Sequence, residues 1–223
     1  MATQQKNPKT QGSKIVTPVF RVSFPSVFKA VGSKFNPDRL MFSVQMLFRT
    51  AKSANQAPGD VVVDLKPVKD AAAQVLVQMF GSVDKRPPKM RRVFRLGTET
   101  KKKDMDGFGE GVEFITASSK RKPGLYDHNK QEIIDPNEFY GGCYARASIV
   151  PYWYGEVDMD PDSNANMGIG WRLVGIQKAG DGDPFGGGSS PDDFETIAEP
   201  VGAVAAAGAA AAKSADPLGD SGL

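Results

Sequence analysis

The segment from Cys143 to Tyr154, CYARASIVPYWY, constrains the fold more than any other part of the chain. Side chains alternate between the two sides of a strand, so one side of this segment carries Cys, two Ala, Ile, Pro and Trp. The other side carries three tyrosines, an arginine, a serine and a valine. One side suits a core and the other suits a surface, and the pattern therefore predicts a half-buried strand in a mainly β protein.

The outer side of this strand also has the chemistry of a nucleic-acid platform. Tyr144, Tyr152 and Tyr154 can stack on unpaired bases, and Arg146 can stack or pair with a phosphate. A one-residue bulge at the proline would reverse the facing and place Trp153 on the binding side instead. A half-exposed strand built from residues of high β-propensity explains the same pattern without a ligand, and both interpretations stay open at this point.

Charge is divided unevenly along the chain. The net charge is only +2, yet residues 1–178 hold 27 basic and 18 acidic residues, and residues 179–223 hold one basic and eight acidic residues. A basic body followed by an acidic tail indicates a polyanion partner for the body and an interaction role for the tail. The segment that follows the strands, GDGDPFGGGSS, has the composition of a flexible linker.

Basic residues concentrate between positions 85 and 122, where 12 Lys and Arg accompany five Asp and Glu. Phe94, Phe108 and Phe114 lie among these charges, an interleaving typical of a groove that follows a phosphate backbone. A solvated basic loop is the alternative explanation. We expect the groove to be formed by these six basic residues: Arg91, Arg92, Arg95, Lys120, Arg121 and Lys122.

Hydrophobic periodicity predicts a small β-barrel with one prominent helix. Strands are expected at Ile15–Phe24, Met41–Phe48, Gly111–Ala117, Cys143–Tyr154 and Met167–Ala179. Apolar residues at steps of three and four predict a helix from Lys66, which Gly81 is placed to end. The segment between the first two strands, 26–39, is rich in turn residues. Five strands and a helix fit an OB-fold-like barrel.

The expected domain organisation has three parts. Residues 1–14 form a disordered arm, residues 15–179 an OB-fold domain that carries the nucleic-acid platform, and residues 180–223 a flexible acidic and alanine-rich tail. One cysteine excludes an internal disulfide, and the polar N-terminus and lack of a long apolar run predict a soluble, cytoplasmic protein. With one Cys and one His, neither a zinc cluster nor a catalytic triad is predicted, and we expect no metal or other cofactor.

Several segments resemble single-stranded DNA-binding proteins of tailed phages. They include FRVSFPSVF, FSVQMLF, GIGWRLVGIQKAGDGDPFGGG and PDDFE, and the most specific are ITASSKRKP at 115–123 and EFYGGCYARAS at 138–148. The resemblance covers about residues 15–195. It implies an OB-fold protein of phage replication and recombination in the host cytoplasm, which coats unpaired DNA without sequence preference and catalyses nothing.

By the same resemblance, the acidic tail recruits or modulates phage or host replication proteins. Its expected partner-binding residues are Asp192, Asp193, Phe194 and Glu195. The chain departs from the family pattern here, because an alanine-rich stretch follows this acidic segment where many relatives end on an aromatic residue.

Two other classes of protein fit parts of the sequence. A β-rich phage structural or assembly protein would use the tyrosine strand as a subunit interface. A nuclease would need metal-holding carboxylates, for which Asp104, Asp106 and Glu110 are the dense candidates.

Overall fold

The computed structural model describes residues 10–34, 36–53, 56–57, 59–99, 104–162 and 166–186. One α-helix, α1, spans Lys66–Phe80, and short 3-10 turns occur at Val83–Lys85, Gly97–Glu99 and Pro136–Glu138. The strands are β1 (Ile15–Val16), β2 (Phe20–Ser33), β3 (Asn36–Arg49), β4 (Arg95–Leu96), β5 (Val112–Ser119), β6 (Gly124–Tyr126), β7 (Tyr144–Tyr154) and β8 (Gly168–Gly180).

Five of the strands close into a barrel. β2 pairs with β3, β3 with β5, and β5 with β8 in parallel, while β7 pairs antiparallel with both β8 and β2 and so completes the ring. The short strands β1, β4 and β6 extend this ring by pairing with β7, β5 and β8. The predicted OB-fold-like five-stranded barrel with one helix is confirmed.

The alternation predicted for β7 holds over most of its length. Ala145, Ala147, Ile149 and Trp153 are buried, whereas the tyrosines of the opposite side are half-buried. The adjoining Cys143 is fully buried, and this burial raises the pKa of its thiol to about 11. A protonated, inaccessible thiol serves packing and is chemically inert.

Helix α1 begins and ends where the sequence predicts. The Asp64 side chain accepts a hydrogen bond from the backbone N–H of Lys66 (2.7 Å) at its start. At its end Gly81 adopts φ 79°, and its N–H donates to the Val77 carbonyl. This left-handed conformation favours glycine, because a Cβ would be strained there. The apolar face of the helix, including Val68 and Val75, joins the barrel core.

The segment 26–39 corrects one expectation, since most of it continues the strands where we expected turns. β2 and β3 extend as a hairpin beyond the barrel. β2 pairs with β7 only at Phe20 and Arg21, and β3 pairs with β5 only from Phe42 onward. Residues 26–33 and 36–41 form this hairpin arm. Pro37 is tolerated because it lies in the part of β3 that has no second neighbour to bond.

At both ends of the barrel domain, residues that we predicted to be disordered or flexible pack against the barrel. Residues 10–12, which we assigned to a disordered arm, lie along β7, where Trp153 N–H donates to the Thr10 carbonyl and Gly12 N–H to the Pro151 carbonyl. Residues 181–186, which we assigned to the tail, fold back onto the barrel. Phe185 stacks on the Arg21 guanidinium (4.7 Å), and its N–H donates to the Gly141 carbonyl.

Candidate nucleic-acid interface

A long groove crosses the barrel between the hairpin arm and the ends of β7 and β8. Three adjoining recesses form it, and Tyr154 lines all three. We call it the tyrosine groove. Tyr152 lines two of the recesses, and the arm contributes Arg39 and Met41 to the opposite wall. β2, β3, β5, β7 and β8 all meet here, so the barrel itself fixes the shape of the groove.

Glycines on β8 make room for the tyrosine rings. Tyr152 pairs with Gly170 and Tyr154 with Gly168 across the two strands. A Cβ built on Gly170 would lie 2.5 Å from Tyr152 Cζ, so the phenol ring lies directly on the bare backbone of the partner strand. Such close approach is a recognised use of glycine within strands. At Gly168 a built Cβ would lie 3.3 Å from the Tyr154 hydroxyl oxygen, so the pattern G-x-G opposite Y-x-Y leaves room for both tyrosine side chains on the floor of the groove.

The groove is strongly basic. Among the described residues, one acidic side chain, Glu99, lines it, and this carboxylate pairs with Arg92 (2.7 Å). Arg95 lies over the ring of Phe114, at 4.9 Å from its centroid. The basic lining residues are Arg39, Arg91, Arg92, Arg95, Lys120, Arg121 and Arg172. All seven are exposed, so their charges can reach a ligand.

Burial and a nearby charge act in opposite directions on the pKa of Tyr154. Desolvation is the larger effect and raises the pKa of its phenol, while the nearby Arg91 guanidinium lowers it. The phenol consequently stays neutral at physiological pH. A neutral aromatic ring beside a guanidinium offers a stacking surface and a phosphate partner at one place.

The structure brings together seven of the eleven residues predicted for the interface. These are Arg91, Arg92, Arg95, Lys120, Arg121, Tyr152 and Tyr154. Trp153 borders the groove, but its ring is buried and packs edge-on against Phe80 of α1 at 5.2 Å, so no bulge turns it outward. Lys122 is exposed beyond the residues that line the groove.

Tyr144 and Arg146 lie elsewhere on the outer side of β7. Arg146 Nε donates to the Gln177 side chain (2.9 Å). Tyr144 donates its hydroxyl to Asp60 (3.0 Å) and lies beside Arg21, and burial raises the pKa of its phenol to about 12. Tyr144 thus belongs to a structural network at the other end of the strand.

Two basic residues of the groove, Arg39 and Arg172, were not predicted from the sequence. Arg39 fell in the segment interpreted as turns, where no facing could be assigned. Arg172 alternates with Gly168 and Gly170 on β8, and this two-residue period could have placed it on the tyrosine side.

The phenylalanines of the basic segment serve the core more than the groove: Phe94 and Phe108 do not line it, and Phe114 lines one recess but is buried. Phe108 and Phe114 are buried and contact each other edge-on at 5.2 Å, in a small cluster with Leu47 and Val112. Phe94 is half-buried and packs edge-on against Trp171. Aromatic side chains bury large apolar areas and pair edge-on, and these rings are used in that way.

No three His, Cys, Asp or Glu side chains are grouped to hold a metal ion within the part of the chain that the structure describes. Nor does that part contain a helix long and apolar enough to cross a membrane. The expected tail residues Asp192, Asp193, Phe194 and Glu195 lie outside the described residues.

The closed barrel and its basic, tyrosine-lined groove define a protein of the OB-fold-like, nucleic-acid-binding class. Residues 13–204 match the family described as Enterobacter phage Enc34, ssDNA-binding protein. The chain belongs to this family.

Solved structures of the single-stranded DNA-binding protein from bacteriophage Enc34 share the fold. One structure of that protein is 19% identical with a TM-score of 0.52, covering 85% of this chain and 95% of that one. Its complex with ssDNA is 19% identical with a TM-score of 0.50, covering 82% and 97%. A C-terminal truncation is 20% identical with a TM-score of 0.54, covering 83% and 99%. No curated protein sequence matches the chain.

Proposed function

We propose that this protein coats single-stranded DNA without sequence preference during phage replication and recombination, in the host cytoplasm, and that it catalyses no reaction. The observation that carries the proposal is the pair Tyr152 and Tyr154 on the floor of a groove whose basic side chains outnumber its acidic ones. Membership of the family and the related protein's complex with ssDNA support it.

The mechanism combines attraction with stacking. The basic side chains draw the phosphate backbone into the tyrosine groove and release its counterions. Bases then stack on Tyr152 and Tyr154, each stack contributing roughly 1–3 kcal/mol. Duplex DNA hides its base faces, so it gains the charge attraction without the stacking. The tyrosine rings therefore provide the preference for unpaired DNA, and the basic side chains attract DNA of either form from a distance.

A salt titration with matched DNA tests this function. We expect tight binding of fluorescent oligo(dT), weak binding of a duplex of equal length, and a log–log salt slope of about −0.7 per phosphate contacted. If each of the seven basic groove residues met one phosphate, the slope would approach about −5. Equal affinity for both forms would contradict stacking. Absence of binding at low salt, with large assemblies formed without DNA, would favour a phage structural protein.

We further propose that the acidic tail competes with DNA for the groove and presents Asp192, Asp193, Phe194 and Glu195 to replication proteins. Its charge is opposite to that of the groove. A variant that ends at Gly186 keeps the packed residues 181–186 and should bind oligo(dT) more tightly at low salt, with the difference fading as salt screens the tail. Anisotropy titrations of both proteins measure this, and equal affinities at every salt concentration would exclude competition.

A further inference from the structure

Phe24 has a backbone conformation that a phenylalanine rarely adopts. Its φ is 44°, in the left-handed region, and Pro25 follows it. A bulky residue with positive φ is a true outlier, and a following proline restricts its backbone further. Such outliers concentrate at ligand sites, where the surrounding structure holds them for a purpose. Phe24 therefore needs an explanation beyond packing.

A β-bulge turns the Phe24 side chain away from the core. Ser23 pairs with Gln45 and Ser26 with Ser43, so two residues of β2 oppose the single residue Val44. Without the bulge, Phe24 would follow Phe20 and Val22 into the barrel. It is instead 47% exposed, and Val27 takes up the inward alternation. Bulges beside functional sites re-aim side chains in this way.

The outward position places Phe24 between two recesses. One is part of the tyrosine groove, which Phe24 lines together with Tyr152 and Tyr154. The other lies beyond it and is lined by Pro25, Met105, Phe108 and Phe185, with Asp104 and Asp106 at its acidic side. Phe24 thus marks the point where the basic groove passes into an apolar recess.

We propose that Phe24 is a third stacking residue, which receives an unpaired nucleobase where the DNA leaves the tyrosine groove. The two carboxylates of the outer recess repel phosphate, while the uncharged face of a base can pack on Phe24, Pro25 and Met105. The sugar–phosphate backbone would stay on the side of Arg39. This inference rests on the proposed function, because it lengthens the same DNA path by one subsite.

Phe24→Gly separates a binding role from a structural one. Glycine adopts positive φ without strain, which offsets its greater freedom in the unfolded chain, so the variant should keep a similar melting temperature while it loses the ring. We expect its affinity for long oligo(dT) to fall roughly 5- to 150-fold, the range for one stacked base. Phe24→Trp keeps an aromatic face and should bind within a few-fold of the unmodified protein. Leu40→Ala is the control, because Leu40 is exposed on the same hairpin arm and does not line the groove.

Oligonucleotide length gives a second, independent readout. The deficit of Phe24→Gly should vanish on oligomers too short to reach from Tyr154 to Phe24, and appear once the oligomer spans both. A constant deficit at all lengths, or unchanged affinity of Phe24→Gly on long oligomers, would overturn the proposal. That result leaves the proposed function intact if the unmodified protein still prefers single strands. If the unmodified protein showed no preference for single-stranded DNA, that result would instead refute the proposed function itself.

Discussion

Replacing Tyr152 and Tyr154 by alanine is expected to abolish most of the preference for single-stranded DNA. The Tyr152 ring lies on Gly170 of β8, the Tyr154 hydroxyl lies near Gly168, and both half-buried side chains line the groove, where each can offer a ring face to a base. Loss of one stack costs roughly 1–3 kcal/mol, or about 5- to 150-fold in affinity. Duplex binding should change little, because the seven basic side chains remain.

Anisotropy titrations with oligo(dT) and a matched duplex measure the effect of these substitutions. Tyr126→Ala serves as a control, since this exposed tyrosine on β6 lies outside the residues that line the groove. Gly170→Ala adds a test in the opposite strand, because the new methyl group would push the Tyr152 ring from its place. Equal losses for single and double strands in the tyrosine variants would show that charge alone selects the ligand.

Replacing Asp60 by alanine is expected to cost the fold about 3–5 kcal/mol. The Asp60 carboxylate is 6% exposed and lies 2.9 Å from Arg49 Nη2 and 3.9 Å from Arg21 Nη1. It also accepts the Tyr144 hydroxyl. Its removal would take the carboxylate partner from the buried Arg49 and leave the buried Arg21 with only the exposed Asp183 carboxylate, 4.0 Å from its Nη2. Typical domains have only about 5–15 kcal/mol of stability, so the loss should appear as a large drop in denaturation midpoint.

Urea denaturation at neutral pH tests the role of Asp60, with Asp70→Ala as the matched control. Asp70 pairs with Lys66 at 2.6 Å, but both side chains are more than half exposed, so solvent screens the pair and it should contribute little to stability. Asp60→Asn keeps the shape and part of the hydrogen bonding, and should fall between the two alanine variants. Similar midpoints for Asp60→Ala and Asp70→Ala would contradict a structural role for the buried cluster.

Much of the barrel could be predicted from periodicity alone. The strand at 143–154, the helix from Lys66 and its end at Gly81 follow from local patterns that tertiary contacts reinforce. The hairpin arm could not be predicted in the same way. Its glycine, asparagine and proline residues are typical of turns, and only the free edges of β2 and β3 beyond the barrel allow them inside strands.

The interface could be predicted only in part, because alternation gives the side of a strand on which a residue lies but not its neighbours in the fold. Alternation placed Tyr152 and Tyr154 on the outer side, but it placed Tyr144 there as well, and only the fold reveals Asp60 and Arg21 beside that hydroxyl. Basic composition identified Arg91 and the residues that follow it. Phe108 lies in a loop, whose sequence carries no facing, and Phe114 lies on β5, where only the fold shows the cluster that buries it.

The placement of the tryptophans gives the protein a built-in optical reporter. The chain contains only two, Trp153 and Trp171, and they lie on β7 and β8, each directly adjacent in sequence to a groove residue. Both indoles are buried, so solvent quenchers reach neither. A ligand that displaces the side chains of the tyrosine groove would disturb β7 and β8, the two strands that carry the tryptophans. The tryptophan emission of unlabelled protein is therefore a local signal from this one surface, undiluted by indoles elsewhere.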